Sequence, residues 1–471
     1  LQARYFTGAE AGTLYLVKDD VLTFEIAQND KLNIALGGRH GTIDIPPVPV
    51  NRDSVSGYVA TTGTTLNIPD VYAKSEQSFE GPKSYDRMTG YRTQSMLVVP
   101  MRDHEEQVTG VLQLLNALDS DGQAHSFSKE NESLIESLAS QAALAINRVR
   151  LIGDTEALFE AFVQVMATAI DERSPYTGGH IRRVAEMTMV VAQAVNDCAE
   201  GPLANVYFDR AEMEELRIAA WMHDIGKITT PEWIVDKPTK LTTIYDRIET
   251  LRLRFALMQQ QIQRLQELGQ IDSEEARQRL EKLASDLAFL ERANLPGEYM
   301  EDADVERLRD IAQQTYELQG QAHPCITDEE LTNLVIRKGS LTEAERKKIN
   351  DHASMSIKML EQIPFTRKLR RVPEIAGAHH EKLDGSGYPN GLKAESIDLQ
   401  SRILALVDIF ESLSADDRPY RSKPMPRETV LEILKDMVDD YHIDRDVFDL
   451  FLREGLAVKL DEIKAQMARE A

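Results

Sequence analysis

Cysteine, long apolar stretches and positive charge are all scarce in this chain of 471 residues. Cys198 and Cys325 are its two cysteines, which excludes a disulfide framework and favours a reducing cytoplasm. No run of about 18 apolar residues occurs, so no membrane-spanning helix is predicted. A signal peptide and an initiator methionine are also lacking, and we expect a further segment before Leu1. The composition therefore predicts a cytoplasmic protein without a membrane span.

The shortage of positive charge limits which partners the protein can attract. Lys and Arg number 54 against 78 Asp and Glu, which gives a formal net charge of −24. Such a charge disfavours nucleic acid and anionic lipid as partners. A phosphorylated substrate would need metal ions, or a few local Lys and Arg side chains, to neutralise it. The length predicts two or three domains.

The first part of the chain reads as mixed sheet and helix. Short apolar runs at 13–17, 95–101 and 108–116 are bounded by turn residues and predict strands. From Ser128 onward the apolar spacing becomes helical. Two interpretations of residues 129–170 stay open: two separate helices at a domain boundary, or one nearly continuous signalling helix that joins a sensor to an output domain.

A seven-residue apolar repeat runs through residues 243–292. Spacings of 4 and 3 alternate along two segments that Gly269 separates. The first segment contains Ile244, Ile248, Leu251, Phe255, Met258, Ile262 and Leu265, and the second contains Ala276, Leu280, Leu283, Leu287 and Leu290. The pattern predicts an antiparallel coiled-coil hairpin that projects about 35–40 Å. It is either a plain packing arm or a surface for dimer contacts.

Histidine and aspartate occur at several positions where helical spacing predicts a buried face. These residues are His180, His223, Asp224, His352, His379, His380 and Asp408. A single inward histidine is more often a hydrogen-bonded core residue, but a buried carboxylate such as Asp408 needs a cation. Imidazole and carboxylate without thiolate suit Fe, Mn, Zn, Ni or Co. The two adjacent pairs, His223–Asp224 and His379–His380, suit two metal ions about 3.5–4 Å apart. Two such ions can activate a water and clamp a phosphate. The residues therefore predict a dinuclear phosphohydrolase.

Three motifs carry a family resemblance. "HDIGK" (223–227), "HHEKLDGSGYP" (379–389) and "ALVDIFESLSADDRPYR" (405–421) resemble the HD-GYP domain family, a branch of the HD superfamily of metal-dependent phosphohydrolases. The resemblance covers 155–243 and 337–470. It implies a phosphodiesterase that hydrolyses the second messenger cyclic di-GMP to pGpG, GMP or both.

The resemblance also implies roles for individual residues. It implies metal ligation by His180, His223, Asp224, His352, His379, His380 and Asp408. Asp224 would bridge two divalent transition-metal ions per chain, Fe or Mn ahead of Zn, Ni or Co. Lys227 and Arg183 would contact the phosphate, and Lys227, Arg183 and Asp224 form the expected catalytic set. The substrate-binding loop would comprise Gly385, Gly387, Tyr388 and Pro389, with the glycines allowing positive φ.

Two features depart from the family pattern. Residues 243–336 form an insertion between "KPTKLTT" (237–243) and the helix that carries His352. Members that hold a third metal have Glu four residues before the first histidine, where this chain has Tyr176. We therefore expect two metals rather than three.

The N-terminal segment resembles a GAF domain, a sensor fold with a central antiparallel sheet. The resemblance rests on "AGTLYLV" (11–17), "SVSGYVATTGTTLNIPDVY" (54–72), "TGYRTQSMLVVPM" (89–101) and "GVLQLLNALD" (110–119). Asn116 and Phe127 fit the pattern of GAF domains that bind cyclic nucleotides, whereas Ala117 and Asn131 depart from it. A small-molecule or cyclic-nucleotide ligand and a structural or dimerising role both stay open.

Together these patterns predict an α+β GAF domain with an antiparallel sheet, joined by a long helix to an all-α HD-GYP domain that carries the inserted hairpin. The predicted ranges are 1–147 for an N-terminally truncated GAF domain, 129–170 for the linker helix, 155–471 for the catalytic domain and 243–336 for the insertion. We expect a homodimer. The alternatives are an HD phosphohydrolase for another cyclic nucleotide or dinucleotide, and a catalytically silent module that binds diguanylate cyclases. The full ligand set argues against the silent module.

Overall fold

The computed structural model describes residues 2–38, 41, 43–73, 79–172, 179–297, 299–415 and 425–470. Tyr176, on which the expectation of two metals rather than three rests, lies outside the described residues. The chain divides into two compact units, and the boundary along the sequence lies between Phe159 and Glu160. Among the described residues, no helix is long and apolar enough to cross a membrane.

The N-terminal unit is built around an antiparallel sheet. Its elements are α1 (Gln2–Thr7), β1 (Ala9–Lys18), β2 (Val21–Asn29), β3 (Ile34–Gly37), β4 (Val48–Pro49), α2 (Val55–Thr62), β5 (Leu66–Ile68), α3 (Glu80–Thr89), β6 (Met96–Arg102), β7 (Val108–Leu118) and β8 (Ala124–His125). The strand order is β3-β2-β1-β7-β6-β5, with β4 paired to β2 and β8 to β7. The strands predicted at 13–17, 95–101 and 108–116 are β1, β6 and β7. This confirms the predicted α+β class.

Helices cover both faces of the sheet. Side chains alternate between these faces along each strand. On β6, Leu97 and Val99 pack with Ile135 from the following helix. Met96 and Val98 point to the other face, where they join the core formed with α2. The near-continuous apolar run in β6 is therefore the pattern of a strand buried on both sides.

A single helix, α4 (Lys129–Asp171), follows the sheet and continues past the boundary at Phe159. The interpretation of residues 129–170 as one nearly continuous helix agrees with these bounds. A signalling role for the helix stays a prediction.

The second unit is mainly helical, as predicted. Its elements outside the insertion are α5 (His180–Asn196), α6 (Arg210–Met222), a 3₁₀ turn (Ile225–Thr229), α7 (Glu232–Val235), α12 (Glu343–Leu360), α13 (Val372–Gly377), α14 (Leu399–Ser414), α15 (Arg427–Asp439), α16 (Arg445–Arg453) and α17 (Leu456–Glu470). A capping box marks the start of α12: the Thr342 hydroxyl accepts from the Glu345 N–H, and the Glu345 carboxylate accepts from the Thr342 N–H. This fixes where the helix that carries His352 begins.

The inserted segment has a hydrophobic core of its own. It contains α8 (Ile248–Glu267), α9 (Ser273–Asn294), α10 (Asp302–Ala312), β9 (Thr315–Leu318), β10 (Gln321–Pro324) and α11 (Asp328–Leu334). Leu251 and Leu290, from the two long helices, are buried together with Leu308 and Ile311 from α10. The hairpin of α8 and α9 therefore packs against further helices, so it is not a free-standing coiled coil.

Two expectations for the insertion need correction. Ile244 was placed first in the heptad seam, but it precedes α8 and its side chain is 94% exposed. The domain was expected to be all-α, yet within residues 300–336 β9 and β10 form a two-stranded hairpin between α10 and α11. Its residues, such as Glu317 and Gln321, are largely exposed, so no apolar alternation marks the strands in the sequence.

Candidate metal centre

Residues from five separate segments meet in the second unit. His180 opens α5, His223 and Asp224 follow α6, His352 lies in α12, His379 and His380 follow α13, and Asp408 lies in α14. Two groups have their ligand atoms within 4.8 Å of one another: His180, His223 and Asp224, and His352, His379 and His380. The structure thus brings together all seven residues that the sequence singled out.

Asp224 lies between the two groups. Its Oδ1 is 3.3 Å from Nε2 of His352 and 3.9 Å from Nε2 of His379. Its Oδ2 is 3.3 Å from Nε2 of His223 and 3.6 Å from Nε2 of His180. One carboxylate oxygen therefore faces each group, which is the placement that a bridging ligand requires.

Local helix geometry aims three of the histidines inward. Nδ1 of His223, His352 and His379 each donates to the backbone carbonyl three residues earlier, at 2.7, 2.5 and 2.5 Å. In the neutral form of these rings, which is the form that binds metal, this bond leaves the lone pair on Nε2. All three Nε2 atoms are buried without a hydrogen-bond partner, as is Oδ1 of Asp224. Buried polar atoms without partners are rare, and here they converge on one place.

His180 is oriented differently, by a carboxylate that the sequence analysis missed. Nδ1 of His180 contacts Oε2 of Glu411, which is fully buried in α14. The other oxygen of Glu411 accepts from Nε and Nη2 of Arg183, at 2.7 Å each. Nε2 of His180 then lies 3.2 Å from Oδ1 of Asp408. Glu411 is three residues after Asp408, on the same helix face, and a second acid in that apolar run could have revealed it.

Arg183 was expected to contact phosphate. In the structure its side chain is 14% exposed and paired with Glu411. The phosphate-contacting role stays a prediction. Through this ion pair Arg183 also holds Glu411 in place, and Glu411 orients His180.

Gly226 allows the "HDIGK" segment to lie directly against α12. A Cβ at this position would lie 2.0 Å from the carbonyl oxygen of His352 and 2.6 Å from the backbone N of Ser356. The Ser356 hydroxyl donates to the carbonyl of His223 at 2.8 Å and accepts from the N–H of Gly226 at 2.9 Å. Gly226 does not end the preceding helix, because α6 already ends at Met222. The glycine is required for close packing, and Ser356 was missed.

The loop that contains Gly385, Gly387, Tyr388 and Pro389 covers the side of the metal centre where His380 lies. The Tyr388 ring is 4.8 Å from the His380 ring, centroid to centroid. Glu381 anchors the loop by accepting from the backbone N–H groups of Asn390 at 2.7 Å and Leu392 at 2.8 Å. Tyr388 is therefore placed beside the histidines by a buried carboxylate that the sequence analysis did not single out.

The two loop glycines serve different purposes. Gly385 has φ of +85°, as expected. Gly387 is not in the positive-φ region. A Cβ there would lie 2.3 Å from the backbone N of Lys382. The prediction of positive φ was thus wrong for Gly387, which is needed for close approach of backbone segments. Pro389 follows a cis peptide bond with Tyr388.

Carboxylates raise the pKa of the two histidines on one side of the centre. At His180, burial opposes the charge, but Glu411 and Asp408 raise the pKa to about 9. At His223, burial again opposes the charge, while Asp224 and Asp408 raise the pKa to about 10. A cation at this position would replace the protons that these rings otherwise carry.

The side chains of His379, His380 and Asp224 are already in the form that binds metal. Burial lowers the pKa of His380 to about 3 and brings that of His379 well below its usual range. Burial alone would raise the pKa of Asp224, yet Lys227 and His223 hold it well below its ordinary value. Nζ of Lys227 donates to Oδ2 of Asp224 at 2.5 Å. Neutral imidazoles and an ionised carboxylate are therefore buried side by side.

This donor set fits two divalent transition-metal ions. The converging Nε2 atoms without partners, the carboxylate between them and the absence of thiolate suit Fe, Mn, Zn, Ni or Co. Nδ1 bonds to carbonyls and to Glu411 are the outer contacts that usually orient metal-bound histidines.

Comparison with known proteins gives matches to both units. A GAF domain model matches residues 1–146, and two HD domain models match residues 177–304 and 326–447. The 3'3'-cGAMP-specific phosphodiesterase 1 of Vibrio cholerae is 40% identical over 119 residues, 25% of this chain and 26% of that protein. The 3'3'-cGAMP-specific phosphodiesterase 3 of the same organism is 26% identical over 283 residues, 60% of this chain and 36% of that protein.

A further relative is the cyclic di-GMP phosphodiesterase response regulator RpfG of Xanthomonas campestris, 37% identical over 89 residues, 19% of this chain and 23% of that protein. The chain thus spans about a quarter to a third of the length of these relatives. The family models place the GAF domain before the HD domains. The chain joins a GAF domain to an HD domain region.

Proposed function

We propose that the protein is a metal-dependent phosphodiesterase that hydrolyses cyclic di-GMP to pGpG, GMP or both. The observation that carries this proposal is Asp224, which turns one carboxylate oxygen toward each of two histidine groups. Two cations held in this way would activate a water and neutralise charge on a phosphate. This meets the need for local positive charge in a chain of net charge −24. The names of the relatives support the same class of substrate.

The surrounding side chains have distinct tasks in this proposal. Lys227 is bonded to Asp224 and its side chain is 28% exposed, so its ammonium group can also reach a substrate phosphate. There it would stabilise the charge that develops as the phosphodiester is cleaved. Tyr388 would contact the substrate beside His380. Gly385, Gly387 and Pro389 shape the loop that presents this ring.

The metals are proposed to be Fe or Mn, with two ions per chain. Asp224 would bridge them, with His180, His223 and Asp408 on one side and His352, His379 and His380 on the other. The metal content of the protein as isolated, measured by elemental analysis, tests the number and the identity together. Absence of metal combined with no activation by Mn²⁺ or Fe²⁺ would contradict the dinuclear proposal.

A second candidate substrate is 3'3'-cGAMP. Relatives from Vibrio cholerae carry this substrate in their names, and one of them aligns over 60% of the chain. Both cyclic dinucleotides present the same phosphodiester to the metal centre, so the centre does not discriminate between them. Initial rates with cyclic di-GMP, 3'3'-cGAMP, cAMP and cGMP, under identical metal loading, decide which substrate is preferred.

The GAF domain is proposed to regulate this activity by binding an uncharged small molecule. It contains a cavity of about 480 Å³, and the described residues that line it include no Lys, Arg, Asp or Glu. Phe24, Tyr85 and Met88 contribute apolar surface, while Ser56 and Gln113 contribute polar groups. The described lining residues offer no cation to neutralise the phosphate of a cyclic nucleotide, so burying that phosphate among them would be costly. We therefore expect cAMP and cGMP to leave the melting temperature of the protein unchanged.

Asn116, which fits the cyclic-nucleotide pattern of GAF domains, has a structural role in this chain. Its side-chain oxygen accepts from the backbone N–H groups of Gln94 at 2.7 Å and Ser95 at 3.3 Å. Its amide donates to the Arg92 carbonyl at 2.9 Å and to the Tyr91 hydroxyl at 3.0 Å. A side chain committed to four such bonds supports the proposal that this residue holds the fold rather than a nucleotide.

A cytoplasmic location and diguanylate cyclase partners are also proposed, because both accompany turnover of cyclic di-GMP.

A further inference from the structure

Asp171 is a buried acid at the end of helix α4, where a carboxylate does not suit its own helix. The partial negative charge at a helix C-terminus repels an anion, and the last turn of α4 contains no basic residue. The residue is nonetheless only 5% exposed. Its Oδ2 accepts a hydrogen bond at 3.1 Å from the backbone N–H of Ile181, in the first turn of α5. The carboxylate therefore stabilises the next helix rather than its own.

The N-terminus of α5 needs such an acceptor, because its own N-cap residue is Gly179. An N-cap side chain usually accepts from the second or third N–H of a helix, and glycine has no side chain to do so. Gly179 has φ of +76°, and a Cβ there would lie 3.1 Å from Nη1 of Arg183. A capping side chain at this position would be strained and would press on the guanidinium group that holds Glu411. Asp171 supplies the missing acceptor from ten residues earlier in the chain.

The capped N–H belongs to the peptide group that directly follows His180, the first residue of α5. The peptide group before His180 is fixed as well, since the Gly179 carbonyl accepts from the Arg183 N–H at 3.0 Å. Peptide groups are planar, so fixing both of them leaves the backbone at His180 little freedom. This backbone sets the direction in which the His180 ring points, which is toward Asp224 and Asp408.

The end of α4 is itself held by packing. Val163, Ala167 and Ile170 follow one another at spacings of four and three residues, and all three are buried. This spacing places them on one face of the helix. Residues from Glu160 onward belong to the same compact unit as α5. Asp171 is therefore presented to α5 from an anchored element.

We propose that Asp171 is a positioning residue for the metal centre, which caps α5 and thereby holds His180 in the direction needed to bind a metal ion. The inference rests on the proposed function, because that function assigns His180 a metal ion. The carboxylate acts as a hydrogen-bond acceptor and not as a ligand. An amide oxygen can accept the same bond, so Asp171→Asn should behave like the parent chain and Asp171→Ala should not.

Mn²⁺ titration of the chelator-stripped full chain by calorimetry tests this role. We expect Asp171→Ala to bind Mn²⁺ about 10-fold more weakly, the lower end of the loss typical when support for a ligand is removed. Asp171→Asn should restore the affinity of the parent.

Asp209→Ala is the matched control, because it removes a helix cap of the same kind. Asp209 caps α6 by accepting from the N–H groups of Ala211 and Glu212 at 2.7 and 2.9 Å. The 13 residues of α6 place it about 20 Å from His223. This variant should keep the Mn²⁺ affinity of the parent. Equal weakening in Asp209→Ala and Asp171→Ala would overturn the positioning role, since general destabilisation would then account for both.

Hydrogen exchange of the metal-free protein reports the cap separately from the metal. Residues 179–184 should lose protection in Asp171→Ala and keep it in Asp171→Asn, and unchanged protection in Asp171→Ala would overturn the cap. Lost protection with unchanged Mn²⁺ affinity would overturn the positioning role while leaving the proposed function intact. Asp171→Asn that binds Mn²⁺ as weakly as Asp171→Ala would also overturn it, because the charge and not the acceptor would then matter. A parent chain that takes up no Mn²⁺ would contradict the proposed function, and the positioning role would fall with it.

Discussion

Oδ1 of Asp224 lies 3.3 Å from Nε2 of His352, although the whole insertion separates the two residues in the sequence. The insertion leaves this contact intact because its ends are fixed near α12. Nζ of Lys237, before the insertion, donates to Asn333 at 2.8 Å and to Glu345 at 2.8 and 2.9 Å. A domain with its own core has thus been placed between two halves of one centre without separating them.

Replacing Glu411 by Gln should weaken metal binding while leaving the fold intact. Loss of a carboxylate that orients a histidine ligand typically costs about 10–100-fold in metal affinity. Mn²⁺ titration of chelator-stripped protein by calorimetry measures this change. Glu395→Gln, at an exposed carboxylate in the same unit, should leave the affinity unchanged. Equal affinities for both variants would mean that Glu411 does not position His180.

Replacing Lys227 by Ala should lower the turnover rate while leaving two metals bound. The ammonium group is assigned to stabilise charge on the phosphate, and losing one such contact typically costs about 100–1,000-fold in kcat. Asp224→Ala should remove both turnover and metal. Rates with cyclic di-GMP are measured beside elemental analysis of the same samples. If Lys227→Ala loses its metals, its bond to Asp224 is its main role and the assignment is wrong.

Replacing Gly226 by Ala should destabilise the second unit and disturb the metal centre. The new methyl group would lie 2.0 Å from the His352 carbonyl oxygen, so either α12 or the "HDIGK" segment must move. Such overpacking typically costs about 1–3 kcal/mol in the free energy of unfolding. Gly297→Ala is the control, since a Cβ there meets nothing within 4 Å. Chemical denaturation compares the two, and similar midpoints would show that the close approach is not required.

Replacing Leu290 by Ala should destabilise the insertion. Leu290 is fully buried in its core, and such a truncation typically costs about 2–5 kcal/mol. Leu295, at the end of the same helix, is 57% exposed, and Leu295→Ala should change stability by less than about 0.5 kcal/mol. Hydrogen exchange across 243–336 measures both. Unchanged protection in Leu290→Ala would contradict an independent core.

The sequence was sufficient for the residues whose chemistry is unusual at a buried position. His180, His223 and Asp408 stand out because charge and imidazole interrupt apolar helix faces. Strands such as β6 were recognisable because apolar runs bounded by turn residues are distinctive.

The sequence was insufficient where a role depends on a partner far along the chain. Ser356 and Glu381 are ordinary surface residue types, and their importance comes from backbone groups that only the fold brings within reach. The role of Gly226 was also hidden, because sequence spacing reports helix periodicity and not the approach of another segment. The β9–β10 hairpin is exposed, so it carries no hydrophobic pattern.

The central claim is that two cations held around Asp224 make this chain a cyclic dinucleotide phosphodiesterase. The most direct measurement is product analysis by chromatography after incubating metal-loaded protein, of measured metal content, with cyclic di-GMP and with 3'3'-cGAMP. We expect linear dinucleotide or mononucleotide from at least cyclic di-GMP, and no product from the Asp224→Ala variant. Protein that contains two metal ions per chain and leaves both cyclic dinucleotides intact would contradict the account.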